Sequence, residues 1–437
     1  MTAPIPLPDN RFTVPGNRWD LVHPGGREPT VAVVIAHYNQ QSELDLTLEA
    51  LRLQDYPQQL ISVVVADDGS AQAPVVPAGV AVVRQPDEGF RAAAVRNLGA
   101  RAADAEILCF LDADTVPEPG YVRNIVALPA VLPDALVVGR RRHADLTGLT
   151  PEDLPRWWAG ELTPPELTEP TWLRDEYERS ADLLRLDHRS YRYLISSVMC
   201  CSAELFHDLG GFDESFVGYG GEDWEFAHRA LSGGAVLHHA RGAVAWHHGP
   251  DWAGRSVEDR RTQKNAEALA LARRITDPDA RTHGLHYALP DVAVRIAGDG
   301  HTSASLLRTV SCFLHSDAGI WVDDGALLDD VGTDDPRLHR GDIPAEVLAR
   351  CRFVVDVSGR AVLAAPALTA LLRRCAIPGV GQVSASTDGT EVICRSSWAV
   401  NRARRRAVTL DQISDAVSLS GAELGLSCGE AVPDLSW

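Results

Sequence analysis

The chain has 437 residues, 60 of them acidic against 41 Lys and Arg, and a formal net charge of −19. That excess of negative charge argues against nucleic acid and anionic membrane surfaces as partners, while the length suits about two to three domains with real cores. Lys264 is the sole lysine, and none of the eight cysteines is spaced Cys-x-x-Cys, which argues against zinc and a disulfide framework and for reduced, buried thiols in a cytoplasmic protein.

Residues 1–30 are rich in Pro, Gly and Asn and read as an extended lead-in. They carry no leader-like apolar stretch, and no apolar run is long enough to cross a bilayer, so no membrane span is expected. Val31 to Ala36, VAVVIA, predicts a first buried strand, followed by the polar turn His37-Tyr38-Asn39-Gln40-Gln41. Ser42, with Asp45 three residues on, opens a helix marked by Leu44, Leu46, Leu48, Leu51 and Leu53. Ser62 to Ala66 predicts a second strand ending in Asp67-Asp68-Gly69-Ser70, Val80 to Arg84 a third, and Arg91 to Ala102 a helix. Strand and helix alternate, which predicts an α/β unit with a mainly parallel sheet.

Ile107 to Tyr121, ILCFLDADTVPEPGY, organises the rest. An apolar run enters Asp112-Ala113-Asp114 and stops. Loops at the carboxyl ends of parallel strands form the ligand crevice of such sheets. Two carboxylates on alternate residues there need a partner. Mg²⁺ or Mn²⁺ is the natural one, because hard cations take oxygen ligands. An isolated Asp-x-Asp is equally the pattern of a solvated acidic turn, so its surroundings decide.

Residues 144–190 break the alternation with Trp157, Trp158, Trp172, Tyr177 and several prolines. They read either as an insertion packed on the sheet or as a flap over the crevice. Ile195 to Ala203 returns to strand character. Leu209 to Leu231, LGGFDESFVGYGGEDWEFAHRAL, brings Gly-rich turns to a helix whose first turn holds Glu222 and Asp223. Such carboxylates suit a helix N-terminus electrostatically, or face the crevice. Gly242 to Trp252, GAVAWHHGPDW, predicts a strand ending in His247-His248.

Taken in order, Val31 to Asn39, VVVADDGS, RNLGARAA, FLDADTVPEPGYV, LGGFDESF and GYGGEDWEFAHR resemble a family-two glycosyltransferase of the GT-A fold, over roughly residues 30–255. The Gly-Gly-Glu-Asp segment is also similar to the C-terminal half of β-galactosyltransferases and chondroitin-type polymerases. The resemblance implies a mixed, Rossmann-like α/β sheet within residues 31–284. It implies a nucleotide-sugar donor, most often a UDP-sugar, and a Mn²⁺ or Mg²⁺ cofactor. Ala36, Tyr38, Asp67 or Asp68, Arg96 and Asp112 would lie at the nucleotide. Asp112, Asp114 and His247, in preference to His248, would serve the metal. Asp223 would be the base of an inverting displacement, and Glu222 would contact sugar hydroxyls. The acceptor is left open between a glycan, a peptide and a small natural product.

Residues 285–437 predict a second, smaller α/β domain, which reads as a degenerate GT-A-like copy of the first. VAVRIA at Val292 to Ala297 repeats VAVVIA, IWVDDG at Ile320 to Gly325 echoes VVADDG, and FVVDVSG at Phe353 to Gly359 echoes CFLDADT. Asp356-Val357-Ser358 has lost the second carboxylate, so this domain is expected to be non-catalytic, serving acceptor binding, packing or a homo-oligomer interface. Arg402, Arg404, Arg405 and Arg406 read as a solvated basic helix face. Two other functions compete: a sugar nucleotidyltransferase, which needs a Gly-rich phosphate loop where this chain has His37 to Gln41, and a glycan-binding pseudoenzyme, which has no use for a base.

Overall fold

The computed structural model describes residues 3–218, 220–249, 257–281, 284–314 and 317–436. Tyr219 of the Gly-rich segment and residues 250–252 of the last predicted strand lie outside the described residues. The chain divides into two compact units, one built from Pro4–Ala230 and Ala235–Ala270, the other chiefly from Leu271–Trp437.

The first unit opens with a hairpin of β1 (Ile5–Leu7) and β2 (Arg11–Thr13). There follow β3 (Val31–His37), α1 (Gln41–Arg52), β4 (Ile61–Asp67), β5 (Ala81–Arg84), α2 (Ala92–Ala102), β6 (Ile107–Asp112), β7 (Thr115–Pro117), α3 (Tyr121–Val126) and β8 (Ala135–Ala144). Next come α4 (Leu154–Trp158), β9 (Glu166–Leu167), α5 (Thr171–Ser180), β10 (Val198–Ser202), α6 (Ala203–Asp208), α7 (Glu222–Ser232), β11 (Val236–His248) and α8 (Val257–Ala272). The sheet runs β5-β4-β3-β6-β10-β8-β11-β7, with β9 on β8. β3 pairs in parallel with β4 and β6, whereas β10 runs antiparallel between β6 and β8. Val31 to Ile35 and Ile107 to Leu111 are buried throughout, as continuous apolar runs covered on both faces should be.

The predicted insertion is packed rather than detached. Trp157 is buried and stacks on Trp158 with centroids 4.4 Å apart, in a cluster with Leu46, Val116 and Trp246. Trp172, by contrast, is 47% exposed. All eight cysteines are free, and Cys109 and Cys200 face each other across β6 and β10. No described helix is long and apolar enough to cross a membrane.

The second unit contains β12 (Val292–Ile296), α9 (Ser303–Ser311), β13 (Ala318–Val322), α10 (Gly325–Val331), β14 (Leu338–Arg340), α11 (Ala345–Arg350), β15 (Phe353–Ser358) and β16 (Ala361–Leu363). It continues through α12 (Ala367–Cys375), β17 (Val380–Thr387), β18 (Thr390–Ser396), α13 (Ser397–Arg406), α14 (Leu410–Ile413), β19 (Asp415–Ser420), α15 (Gly421–Leu424) and β20 (Leu426–Cys428). Its sheet runs β14-β13-β12-β15-β18-β17-β19. The first three pairings are parallel, the next two antiparallel and the last parallel. The same order of directions runs from β5 to β11 in the first unit.

Two expectations for this unit need correction. Val34 faces Phe110 and Ala36 faces Asp112, but Arg295, which stands for Val34 in the repeat, faces Asp356. Asp356 therefore lies two residues short of the strand end and is no counterpart of Asp112. It is held across the sheet face by Arg295, at 3.0 Å, and by Arg395. Arg402 is 2% exposed, so the basic cluster is not a uniformly solvated face, although Arg404 is exposed.

Candidate active site

The carboxyl ends of β3, β4 and β6 meet at one edge of the first sheet. At the end of β3, the Ala36 carbonyl accepts the Ala113 N–H at 3.0 Å, and Thr47 of α1 donates its hydroxyl to the Ala113 carbonyl at 2.8 Å. These bonds fix the Asp112-Ala113-Asp114 turn from two sides. Gly69, with φ +84°, permits the turn after β4: a Cβ there would lie 2.3 Å from the Asp87 nitrogen.

The two adjacent carboxylates after β4 differ in what they have left to offer. Asp67 is fully buried, and its oxygens engage His37 Nδ1 at 2.8 Å, Arg84 Nε at 2.9 Å, the Ser70 N–H at 3.1 Å and the Ser70 hydroxyl. A carboxylate has about four lone-pair sites, so Asp67 is consumed in bracing its own loop. Asp68 accepts one bond on each oxygen, from Gln85 at 2.6 Å and from the Arg91 N–H at 2.9 Å, and retains capacity. Tyr38 stands 43% exposed nearby, its hydroxyl 3.1 Å from Asp87 Oδ2.

Arg96 joins the two acidic segments. It projects from α2, is 4% exposed, and donates Nη2 to Asp112 at 2.7 Å and Nη1 to Glu222 at 2.9 Å. Burial alone would lower its pKa, but the two carboxylates hold the guanidinium firmly charged. It braces the two acids against each other, and Asp112, one of them, is itself a residue expected at the nucleotide. The neighbouring Asn97 accepts the Phe212 N–H at 2.9 Å and donates to the Phe212 carbonyl at 2.8 Å. Gly211, with φ +71°, is packed so closely on Asn97 that a Cβ would meet its Oδ1 at 2.6 Å. Glu225 and Arg229 form a buried ion pair at 2.6 Å, and Arg229 also donates to the Gly211 carbonyl at 2.9 Å. The turn at Gly211 and Phe212 is thus tied to both α2 and α7.

Asp223 keeps partial solvent contact and accepts the Trp224 N–H at 2.8 Å. Burial first, then the charge of Glu222, raise its pKa to about 7, against the pull of Arg96. A carboxylate so poised can accept a proton near neutrality. Glu267 of α8 adds to the same push. Its neighbour Lys264 lies 5.5 Å from the Trp224 ring centroid and 2.7 Å from the Glu267 carboxylate. The i, i+3 spacing of these two opposite charges on one helix is the sequence signal for the pair.

Asp114 Oδ2 lies 3.6 Å from His247 Nε2 and 3.2 Å from the Gln40 amide nitrogen. Two ligands of one cation at about 2.1 Å each stand about 3.0–3.6 Å apart, so this oxygen and nitrogen fit a shared divalent ion. His248 differs: its Nδ1 accepts the Leu146 N–H at 3.0 Å and serves the fold. Trp246, bonded to Glu118 at 2.9 Å, fixes the strand end that presents His247. Gln40 was visible in sequence only as part of a polar turn.

Residues 32–180 match the family described as Glycosyl transferase family 2, and residues 179–243 match the N-terminal domain of galactosyltransferase. Chondroitin synthase of Pasteurella multocida (strain Pm70) is 31% identical over 272 residues, 57% of this chain and 28% of that protein. Validoxylamine A glucosyltransferase of Streptomyces hygroscopicus subsp. limoneus is 32% identical over 267 residues, 56% of this chain and 55% of that protein. The solved mannosyltransferase PcManGT of Pyrobaculum calidifontis, in complex with GDP-Man and Mn²⁺, superposes with a TM-score of 0.40 at 20% identity, over 62% of this chain and 68% of that one. The chain spans 28% to 55% of the length of these two curated relatives. The family match and the strand order agree with the GT-A arrangement that the resemblance implied.

Proposed function

We propose that this chain, whose residues 32–180 form a glycosyl transferase family 2 domain, is an inverting glycosyltransferase that moves a sugar from a UDP-sugar to an acceptor hydroxyl. The observation that carries the reading is the Asp112–Arg96–Glu222 bridge, whose buried guanidinium brings two acidic segments far apart in sequence to one sheet edge.

In this reading Tyr38 and Asp68 meet the base and ribose of the donor, and Asp112 meets the ribose. Asp114 and His247 would hold Mn²⁺ or Mg²⁺, which supplies Lewis-acid charge to the diphosphate when bound. Asp223 takes the proton of the acceptor hydroxyl as that oxygen bonds to the anomeric carbon. The bond from that carbon to the diphosphate breaks, and its electron pair leaves with the nucleotide. A single displacement of this kind inverts the anomeric centre. Glu222 keeps Asp223 basic and can receive a sugar hydroxyl on the oxygen that Arg96 leaves. Residues 285–437 are assigned no transfer chemistry, since Asp356 is turned to Arg295 and Arg395.

The test is a turnover screen of UDP-, GDP- and dTDP-sugars with Mn²⁺, in the presence of glycan, peptide and small polyol acceptors. One UDP-sugar is expected to be consumed, and EDTA to stop its consumption. Preference for a GDP- or dTDP-sugar, or undiminished turnover in EDTA, would overturn the donor and metal assignments respectively.

A further inference from the structure

Trp224 follows Asp223 directly on α7, and its ring begins a line of aromatic side chains that leads away from the acid cluster. Arg192 approaches that ring to 6.0 Å from its centroid, and Lys264 to 5.5 Å. Beside Arg192 stands Tyr193, at the end of the turn Ser190–Tyr193. The Tyr193 ring lies 6.0 Å from that of Trp172, in the first turn of α5, with 41° between their planes. Sheet register puts this line at the edge that carries the acids. β10 runs antiparallel to β6, and its first residue, Val198, faces Leu111, the residue before Asp112. The segment that enters β10, Tyr193 included, therefore arrives at the carboxyl end of β6.

The line is anchored from below. Tyr177 of α5, itself buried, donates its hydroxyl to the Tyr193 carbonyl at 2.6 Å, which ties α5 to the turn. Leu173 and Tyr191, next in sequence to the outer ring and to Arg192, are buried, whereas close to half of Trp172 is exposed and Tyr193 and Trp224 are half-buried. A tryptophan left this open forgoes much of the gain from burying its ring, and exposed apolar surface beside a site marks ligand contact. The indole N–H groups of Trp172 and Trp224 and the Tyr193 hydroxyl bond to no other described residue, and the rings that carry them reach solvent. Each ring thus offers an apolar face with a donor at its edge. A sugar ring is the complement, with C–H bonds on its faces and hydroxyl oxygens round its rim. A peptide presents no such succession of flat faces edged with oxygen, and a small polyol would stop at Asp223.

We propose that Trp224, Tyr193 and Trp172 form an acceptor track, which holds a glycan several rings long with its terminal hydroxyl at Asp223 and a more distant ring stacked on Trp172 and Tyr193. The inference rests on the transferase reading for the place of that hydroxyl, and it narrows the acceptor to an oligosaccharide. Stacking uses apolar faces, so the chain's excess of acidic residues does not oppose it.

The experiment is a fluorine NMR titration of the full-length Asp223→Asn protein labelled with 5-fluorotryptophan, the Trp172 resonance being assigned from Trp172→Phe. The probes are a β-linked glucose hexasaccharide and a hexasaccharide that alternates glucuronate with N-acetylglucosamine, each against its own disaccharide and without donor. At least one hexasaccharide is expected to bind and to shift the Trp172 resonance, while its disaccharide binds more weakly and leaves that resonance in place. Trp172→Ala, at an exposed side chain, should weaken the hexasaccharide about three- to tenfold and spare the disaccharide. A Trp172 resonance unmoved by both hexasaccharides, or hexasaccharide affinity unchanged in Trp172→Ala, overturns the track. Absence of transfer from every nucleotide sugar, with this binding pattern intact, would sink the transferase reading and leave the track standing as a glycan-binding surface.

Discussion

Asp223 sits where several charges compete for its proton. Burial and the carboxylates of Glu222 and Glu267 raise its pKa to about 7, while Arg96 and the Trp224 N–H pull it down. In the proposed mechanism Asp223 acts unprotonated, so kcat/KM is expected to rise with pH to half its plateau near about 7, measured on the free enzyme at low donor concentration. A half-point near 4 would mean an ordinary carboxylate. For stability the sign is opposite. The folded chain binds this proton more tightly than the unfolded chain, so the stabilisation is complete below about pH 4 and is lost as pH rises through about 7. Asp223→Asn should therefore melt higher than wild type near about pH 8, by roughly 1–3 kcal/mol of stability, with the gap closing toward about pH 4. Equal melting temperatures across that range would contradict the raised pKa. Sequence could name Asp223 and its neighbour Glu222 but not this poise, which comes first from burial and is then adjusted by Arg96 of α2 and Glu267 of α8.

At the scale of elements, α2 is the clamp of the site. Arg96 holds both acidic segments and Asn97 holds the turn at Gly211 and Phe212. Arg96→Leu leaves two carboxylates without their cation and should cost about 3–5 kcal/mol. Asn97→Ala should cost about 1–3 kcal/mol. Chemical denaturation measures both, and a loss under about 1 kcal/mol for Arg96→Leu would deny the clamp. The strands that support this clamp were legible because buried parallel strands read as apolar runs: Val31 to Ala36 became Val31–His37, and Ser62 to Ala66 became Ile61–Asp67, buried from Val64 onward. The helix at Arg91 to Ala102 became Ala92–Ala102. The choice between Asp67 and Asp68 was not legible. Successive residues of a strand point to opposite sides, and only the partners His37, Arg84 and Ser70 reveal which carboxylate is spent.

At the scale of the molecule, two sheets repeat one strand order, and one of them carries paired acids at its edge. The repeat was legible in VAVVIA and VAVRIA. The two-residue slip of Asp356 was not, because similarity of letters carries no strand register. Titration calorimetry of the full chain with a UDP-sugar and Mn²⁺ should give one donor per chain, and a stoichiometry of two would restore a site to residues 285–437. The most direct test of the whole account compares Asp223→Asn with wild type for donor affinity and for transfer on the same preparation. The account predicts donor affinity within about threefold and transfer lowered about 100- to 10,000-fold; transfer at the wild-type rate would contradict it.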